Sequence, residues 1–304
     1  MENVQPLKLG KVFSYSFNLL GKDFWKMFLT VTVSMLILML PVALMIAYAV
    51  MNSGRFIDMR VYDFAGAMST FSFLIVPYVV LILLAFALSP FMYGIPLILS
   101  ASRMHGRPLS FREAFLLTGQ KYGRLLLTTL SEFVLIILPL AVYILVIFGI
   151  TSASVSGLYN GRMPMGNTLM FMPVLFLLQT ALYAVSIYIG LVFQYATCIT
   201  VNEDSYAFPA IFRAFSLVNK SGFWKNIGHF VVMMLCVGGA GMVIGLFGSM
   251  FILIMAVSPT LLPAMGTVIG IIVIACSAVL QLFSLVYVQL MYYNSRIATE
   301  GYGF

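Results

Sequence analysis

Six long apolar runs, at 27–51, 71–100, 125–150, 169–200, 227–255 and 261–293, alternate with short polar or amphipathic stretches. Each run reaches or exceeds the roughly 20 residues that a helix needs to cross a bilayer. Several exceed it, which predicts tilt, kinks or a turn standing out of the membrane. A second periodicity precedes the first, third and fifth runs. Leu9, Val12, Phe13, Ser16, Phe17 and Leu20 recur at three- and four-residue steps, with Lys8, Lys11, Asn18 and Lys22 on the opposite side. Phe208, Ile211, Phe212, Phe215 and Val218 make a similar stripe, with Arg213 and Lys220 off it. Pro209 falls in the first turn there, where a missing N–H is harmless. The middle stripe is weaker: Phe111, Ala114, Phe115, Thr118 and Tyr122, flanked by Arg112 and Lys121. Each stripe predicts a short helix that either lies in the headgroup plane or packs on the cytoplasmic end of a bundle.

The unit of one short helix plus two apolar runs occurs three times, over about 6–104, 108–201 and 205–296. The copies open on Leu-Lys-Leu-Gly-Lys-Val-Phe (7–13), Leu-Ser-Phe-Arg-Glu-Ala-Phe (109–115) and Tyr-Ala-Phe-Pro-Ala-Ile-Phe (206–212). Phe13 precedes Trp25 by twelve residues and Phe212 precedes Trp224 by twelve, and the chain has no other tryptophan. The middle copy carries Leu127 at that count. Leu40-Pro41-Val42-Ala43 and Leu138-Pro139-Leu140-Ala141 sit at similar depths in copies one and two, where a proline bends a membrane helix. Copy three has Gly238, Gly239, Gly241, Gly245 and Gly248 instead. Its Gly241-x-x-x-Gly245 spacing permits close approach of a second helix. Two crossings per unit give every copy the same orientation. The expected architecture is one all-α integral membrane domain, 1–304, of six transmembrane helices in three same-orientation repeats.

Hydrophobic residues make up 62% of the chain and charged residues 8%, against roughly 25% charged in soluble domains. That excludes a water-soluble protein. The net charge of +7 would otherwise suggest nucleic acid, but its distribution explains it better. Thirteen of the 16 Lys and Arg residues lie on the side of the short helices, and only Arg55, Arg60 and Arg162 on the other. The positive-inside rule then places both termini in the cytoplasm, in the plasma or inner membrane, with no nucleic-acid partner expected. Ala47-Tyr48-Ala49 resembles a signal-peptide cleavage site. Its apolar core of about twenty residues exceeds the roughly 7–15 of such a peptide, so a retained helix is expected. Cys198, Cys236 and Cys276 are odd in number and dispersed in apolar runs, which predicts small buried hydrophobes rather than ligands or a disulfide. The outer loops, about 52–70 and 151–168, are short, and the turn at 256–260 is shorter still.

Two segments resemble a known family. Val201-Asn202-Glu203-Asp204, Phe208, Phe212-Arg213-Ala214-Phe215-Ser216-Leu217 and Gly222-Phe223-Trp224-Lys225 are similar to the central signature of the glycerophosphoryl diester phosphodiesterase membrane domain and its uncharacterised bacterial relatives. The ending Tyr292-Tyr293-Asn294-Ser295-Arg296, followed by Glu300-Gly301, is similar to the tail of those proteins. The resemblance implies a six-helix membrane domain, fused in some members ahead of a soluble phosphodiesterase barrel. The residues to Phe304 hold no counterpart of that barrel, so its catalytic acids, histidines and metal ligands are not expected here.

Candidate chemistry is sparse. No His-Glu-x-x-His pair, phosphate loop or serine–histidine arrangement is visible, and no catalytic, cofactor or metal site is expected. His105 falls in a basic loop, and His229 follows Lys225 by one turn, near the interface. Glu132 is the one acid inside an apolar run, where an unpaired charge is costly. Gln179, Gln194, Gln281 and Gln289 add polarity, for a path or for interhelical hydrogen bonds. Trp25, Lys26, Trp224, Lys225 and Arg296 are the expected interfacial anchors; Glu132, His229, Gln194 and Gln281 are the intramembrane polar candidates. Two functions fit. One is a non-enzymatic membrane protein engaging membrane lipids or a membrane-protein partner through its basic aromatic helices. The other is a small transporter or flippase-like carrier of an apolar or amphiphilic cargo, although three parallel copies lack the inverted repeats of alternating access. A polar cavity reaching Glu132 favours the carrier; a solid bundle favours the scaffold.

Overall fold

A computed structural model describes residues 7–51, 64–159, 165–203, 205–256 and 262–301, and those residues hold eight helices and no strand. In chain order they are α1 (Leu9–Met51), α2 (Phe64–Met104), α3 (Phe111–Gln120), α4 (Tyr122–Tyr159), α5 (Met165–Asn202), α6 (Ala207–Lys220), α7 (Phe223–Ala256) and α8 (Leu262–Glu300). Five of them contain described stretches long and apolar enough to cross a membrane: Leu9–Val42, Ile75–Met104, Gln179–Asn202, Phe223–Phe247 and Val268–Glu300. The remaining run, 125–150, falls within α4. Leu83, Leu235, Met242, Leu246 and Ile271 stand exposed around the long helices, a lining that suits hydrocarbon and not water. The protein is an all-helical chain whose apolar helices fit a membrane.

The long helices reach further than composition suggests. α2 already begins at Phe64, α4 continues to Tyr159 and α5 starts at Met165. The loops expected over 52–70 and 151–168 are therefore partly helix. Their Gly, Ser and Ala residues continue a helix that an apolar run has already nucleated. The turn at 256–260 lies almost wholly outside the described residues. Cys198 is buried as expected, whereas Cys236 is exposed and Cys276 half-buried, because the lipid side of a membrane helix accepts small apolar groups as readily as its core.

α2, α5 and α8 touch one another and form the inner layer. α1 lies against α2 and α8, α4 against α5 and α2, and α7 against α8 and α5. The buried core runs along the inner helices toward the end that carries α3 and α6, through Ile95 and Leu99, Tyr195 and Ile199, and Val286 and Tyr287. We call this the basic end. A ring contact fixes each short segment to an inner helix: Phe17 meets Phe283 at 4.8 Å, Phe115 meets Phe91 at 5.1 Å and Phe215 meets Tyr188 at 5.6 Å.

The short helices bury one edge of each expected stripe and leave its other, aromatic edge exposed. Val12, Ser16 and Leu20, then Ala114 and Thr118, then Ala210, Ala214 and Leu217 turn inward, while Phe17, Phe115 and Phe212 are exposed. Small and aliphatic residues win the inward face because a helix lying across others needs close backbone approach. At Gly94 of α2 an added Cβ would come within 2.8 Å of Thr118 Cγ2 and 2.9 Å of Leu125 Cδ1. The Gly241-x-x-x-Gly245 pair behaves oppositely: a Cβ on Gly238, Gly239, Gly241 or Gly245 would meet nothing within 4 Å. The close approach that this spacing permits is not made among the described residues.

Helix starts differ as well. Ser110 and Glu113 form a capping box on α3, with Ser110 N–H donating to Glu113 Oε2 at 2.7 Å and Glu113 N–H to Ser110 Oγ at 3.3 Å. α6 has no side-chain cap of its own. Instead Ala207 N–H donates to Thr128 Oγ1 of α4 at 2.9 Å, which ties the chain entering α6 to the bundle.

Candidate functional site

At the basic end, the two tryptophans stand at helix boundaries. α1 breaks at Asp23 (φ −123°, ψ 24°), two residues before Trp25, and α7 begins at Phe223 after Gly222 (φ +110°). Trp25 is 75% exposed and Trp224 81%. Each makes an edge-on contact with the phenylalanine before it, at 5.3 Å for Phe24 and 5.1 Å for Phe223. The neighbouring lysines part ways. Lys225 is exposed, whereas Lys26 donates to Asp23 Oδ1 at 2.8 Å and to the Leu109 carbonyl at 3.2 Å. Asp23 also holds Arg103 of α2, whose Nη2 lies 3.1 Å from Oδ1. Lys26 thus ties α1 to the α2–α3 connection as much as it faces the interface.

Arg296 sits in a polar cluster that closes the basic end. It donates to Glu300 Oε2 at 3.0 Å and lies 3.7 Å from Glu203 Oε1. Arg213 of α6 bridges the same two acids, with Nε 3.4 Å from Glu203 Oε2 and Nη2 bonded to Glu300. Tyr292 donates to Glu203 Oε1 at 2.7 Å, and Tyr293 to Asn202 Oδ1 at 2.9 Å. Asn294 pairs with the Leu7 backbone in both directions, at 2.6 and 3.2 Å. The segments around 202–213 and 292–300 therefore meet in space, and their opposite charges neutralise one another. Asp204 lies outside the described residues. His105 faces Tyr293 OH at 3.2 Å.

Deeper in the bundle, all six long helices contribute to one cavity of about 640 Å³. Met35 comes from α1, Tyr93 from α2, Glu132 from α4, Gln194 from α5, Gly241 from α7 and Gln281 from α8. Glu132 lies ten residues, about 15 Å, beyond the start of α4 at Tyr122, and Gln194 eight residues, about 12 Å, before the end of α5. The two side chains therefore share a depth. Thr197 Oγ1 is 3.2 Å from Glu132 Oε1 and 3.2 Å from the Phe193 carbonyl, so its single proton serves one acceptor at a time. Among the described residues no protein donor reaches Glu132 Oε2, and the buried Oε1 of Gln194 accepts no hydrogen bond. Among the described residues no Lys, Arg or His lines the cavity.

Of the intramembrane candidates, Glu132, Gln194 and Gln281 come together here; His229 does not. It is buried on α7, where its carbonyl accepts from Tyr287 OH at 3.4 Å. Gln289 is buried away from the cavity. The lining residues missed in the sequence are Thr129, Thr197, Ser277 and Ser284. Their signal is spacing: Thr129 and Glu132, Gln194 and Thr197, and Ser277, Gln281 and Ser284 each repeat at three or four residues inside an apolar run. Among the described residues no three His, Cys, Asp or Glu side chains cluster as a metal site would require.

No protein-family model matches the chain, and no curated protein or solved structure matches it.

Proposed function

We propose that this chain is a non-enzymatic membrane carrier whose central cavity binds an amphiphilic cargo. The observation behind the reading is the convergence of all six long helices on one cavity that holds Glu132, the one acid of the apolar runs. Acids inside membranes are costly and are retained where they serve a pathway or a ligand. A volume of about 640 Å³ falls within the roughly 300–1,000 Å³ of small-molecule sites. The polar spacing on three helices speaks against a merely solid bundle.

In this reading the six long helices all span the membrane, as three same-orientation copies about a pseudo-three-fold axis. Each copy's first long helix packs on its own partner and on the second helix of the preceding copy, in cyclic order, which supports triplication. The matched Phe–Trp boundaries support it too. The basic end, with both termini, faces the cytoplasm of the cell membrane. Three parallel copies provide no inverted halves to rock, so the cavity loads from the bilayer between helices.

The test is retention of bound amphiphile. Gly241 lines the cavity and has open space where a side chain would go, so Gly241→Phe fills the cavity without a clash at its Cβ. Native mass spectrometry of gently extracted protein is expected to find a bound amphiphile in the wild type and none in Gly241→Phe. The same bound species in both would overturn the reading.

A second reading concerns the surface. Phe17, Phe212 and both tryptophans are exposed beside exposed Lys8, Lys11, Lys22, Lys220 and Lys225, a combination suited to anionic headgroups. Changing these five lysines to Gln is expected to reduce co-purified anionic phospholipid; unchanged lipid removes this reading.

A further inference from the structure

We propose that the cavity selects ammonium-bearing amphiphiles, with the charged nitrogen on Glu132 and the hydrocarbon body against the apolar wall. This rests on the carrier reading and adds the charge of the cargo. Four observations converge on it.

Glu132 uses one carboxylate oxygen on Thr197, and its other oxygen has no protein donor among the described residues. Close by in the lining, the Gln194 carbonyl oxygen is buried without a donor. A buried acceptor left unmade is expensive, and the Gln194 oxygen beside a carboxylate oxygen with no protein donor calls for a donor from outside the protein. Among the described residues the lining also holds no Lys, Arg or His, so a carboxylate- or phosphate-headed amphiphile would find no cation to pair with there. Finally, Tyr93 and Phe193 line the same space, and aromatic faces attract a cation that has left water.

The apolar part of the wall fits the rest of such a molecule. Met35 and Met92 line it along with leucines, and methionine adapts to chains of different shape. The binding step makes no covalent bond. An ammonium donates N–H to Glu132 and to the Gln194 carbonyl, while the alkyl chain lies among the helices.

The experiment uses photoreactive C12 probes carrying a diazirine in the chain, with ammonium, hydroxyl or sulfate heads. Each is crosslinked to the full chain in nanodiscs, and labelled peptides are mapped by mass spectrometry. The ammonium probe is expected to label the cavity-lining segments of α2 and α5, in competition with unlabelled dodecylammonium. Labelling by the hydroxyl and sulfate probes is expected to be about tenfold weaker, the loss of one charged hydrogen bond. Glu132→Gln keeps the shape and the Thr197 contact, and is expected to remove that preference. Gln194→Leu, a second variant, is expected to weaken ammonium labelling with the preference intact.

If the sulfate probe labels the cavity as strongly as the ammonium, or Glu132→Gln labels like the wild type while Gly241→Phe abolishes labelling, the charge assignment is wrong and the carrier reading stands. If Gly241→Phe leaves labelling unchanged, the label does not report the cavity and both fall.

Discussion

The two tryptophan boundaries reach the same outward geometry by opposite local chemistry. Before Trp25 the backbone leaves helical geometry at a buried aspartate, and Asp23 is held by Arg103 from α2 and by Lys26 from its own helix. Before Trp224 the chain turns at Gly222 in the left-handed region, and Asn226 bonds Ser221 Oγ at 2.7 Å and the Val218 carbonyl at 2.9 Å. One boundary is closed by charge, the other by glycine and an amide. Only the Phe–Trp pair, with its tryptophan exposed, is common to both.

The largest difference between the boundaries lies in what removal of one group leaves behind. Asp23→Ala strands Arg103 and Lys26. Breaking a fully buried pair costs about 3–5 kcal/mol, but these two cations are 27% and 37% exposed and can turn toward water. A loss of about 2 kcal/mol is expected, read by titrating unfolding with sodium dodecyl sulfate in mixed micelles. Adding Arg103→Ala to Asp23→Ala is expected to cost less than the sum of the two. Strict additivity would mean that the pair does not hold α1 to α2.

At the other boundary the cost is in the backbone. A Cβ at Gly222 has room, since the nearest atom is Lys225 Cβ at 3.7 Å. Its φ of +110° is the obstacle. Gly222→Ala is expected to destabilise by about 1–2 kcal/mol, measured in the same titration. A neutral result would mean that the turn relaxes without strain, and the contrast between the boundaries would narrow to Asp23.

A third measurement tests what the boundaries share. Trp25→Phe and Trp224→Phe each leave a single tryptophan. Their emission is expected to be quenched to the same depth by lipids spin-labelled along the chain, and from the same leaflet. Unequal depth, or opposite leaflets, would break the same-orientation reading while leaving the cavity untouched.

How much of this was legible depends on the kind of signal. Apolar run length carries the membrane helices, because hydrocarbon demands continuous hydrophobicity whatever the partners. The tryptophan spacing pointed to both boundaries, and Glu132 stood out as a lone acid. The partners of these residues were not legible. Asp23 and Arg103 are 80 positions apart, and nothing in either neighbourhood points to the other. The glycines misled for the same reason: Gly94 is the close contact, by virtue of what α3 brings against it, while the conspicuous glycines of α7 face open space. The stripes that hold Phe17 and Phe212 leave open whether they meet the headgroups or the bundle, and the structure divides each between the two. A membrane protein has two apolar environments, and periodicity alone does not say which one a face meets. The cavity lining was half legible, in the three- and four-residue spacing of Thr, Ser and Gln on α4, α5 and α8.

The segment that carries α3 supplies the smallest effect and a third way of starting a helix at the basic end. It has no tryptophan, and its short helix α3 starts on the Ser110–Glu113 capping box. The Ser110 backbone N–H, and then its hydroxyl, hold the Glu113 carboxyl below its ordinary value. A depressed carboxylate contributes stability that is complete above the unfolded-state pKa, about 4.3 for glutamate, and is lost as pH falls through the folded value. Wild type and Glu113→Gln are therefore expected to differ modestly at pH 7 and to converge below pH 4. Because the group is exposed, added salt is expected to shrink the difference further. Thermal unfolding of the two proteins in the same detergent, from pH 7 to pH 3, measures the gap directly and cancels the titration of every other carboxylate. A gap that persists unchanged at pH 3 would assign the effect to the shape of the side chain and not to its charge. The start of α3 would then be kept by packing of Ala114 and Thr118, with Thr118 under Gly94, a steric solution beside the ionic one at Asp23 and the glycine turn at Gly222.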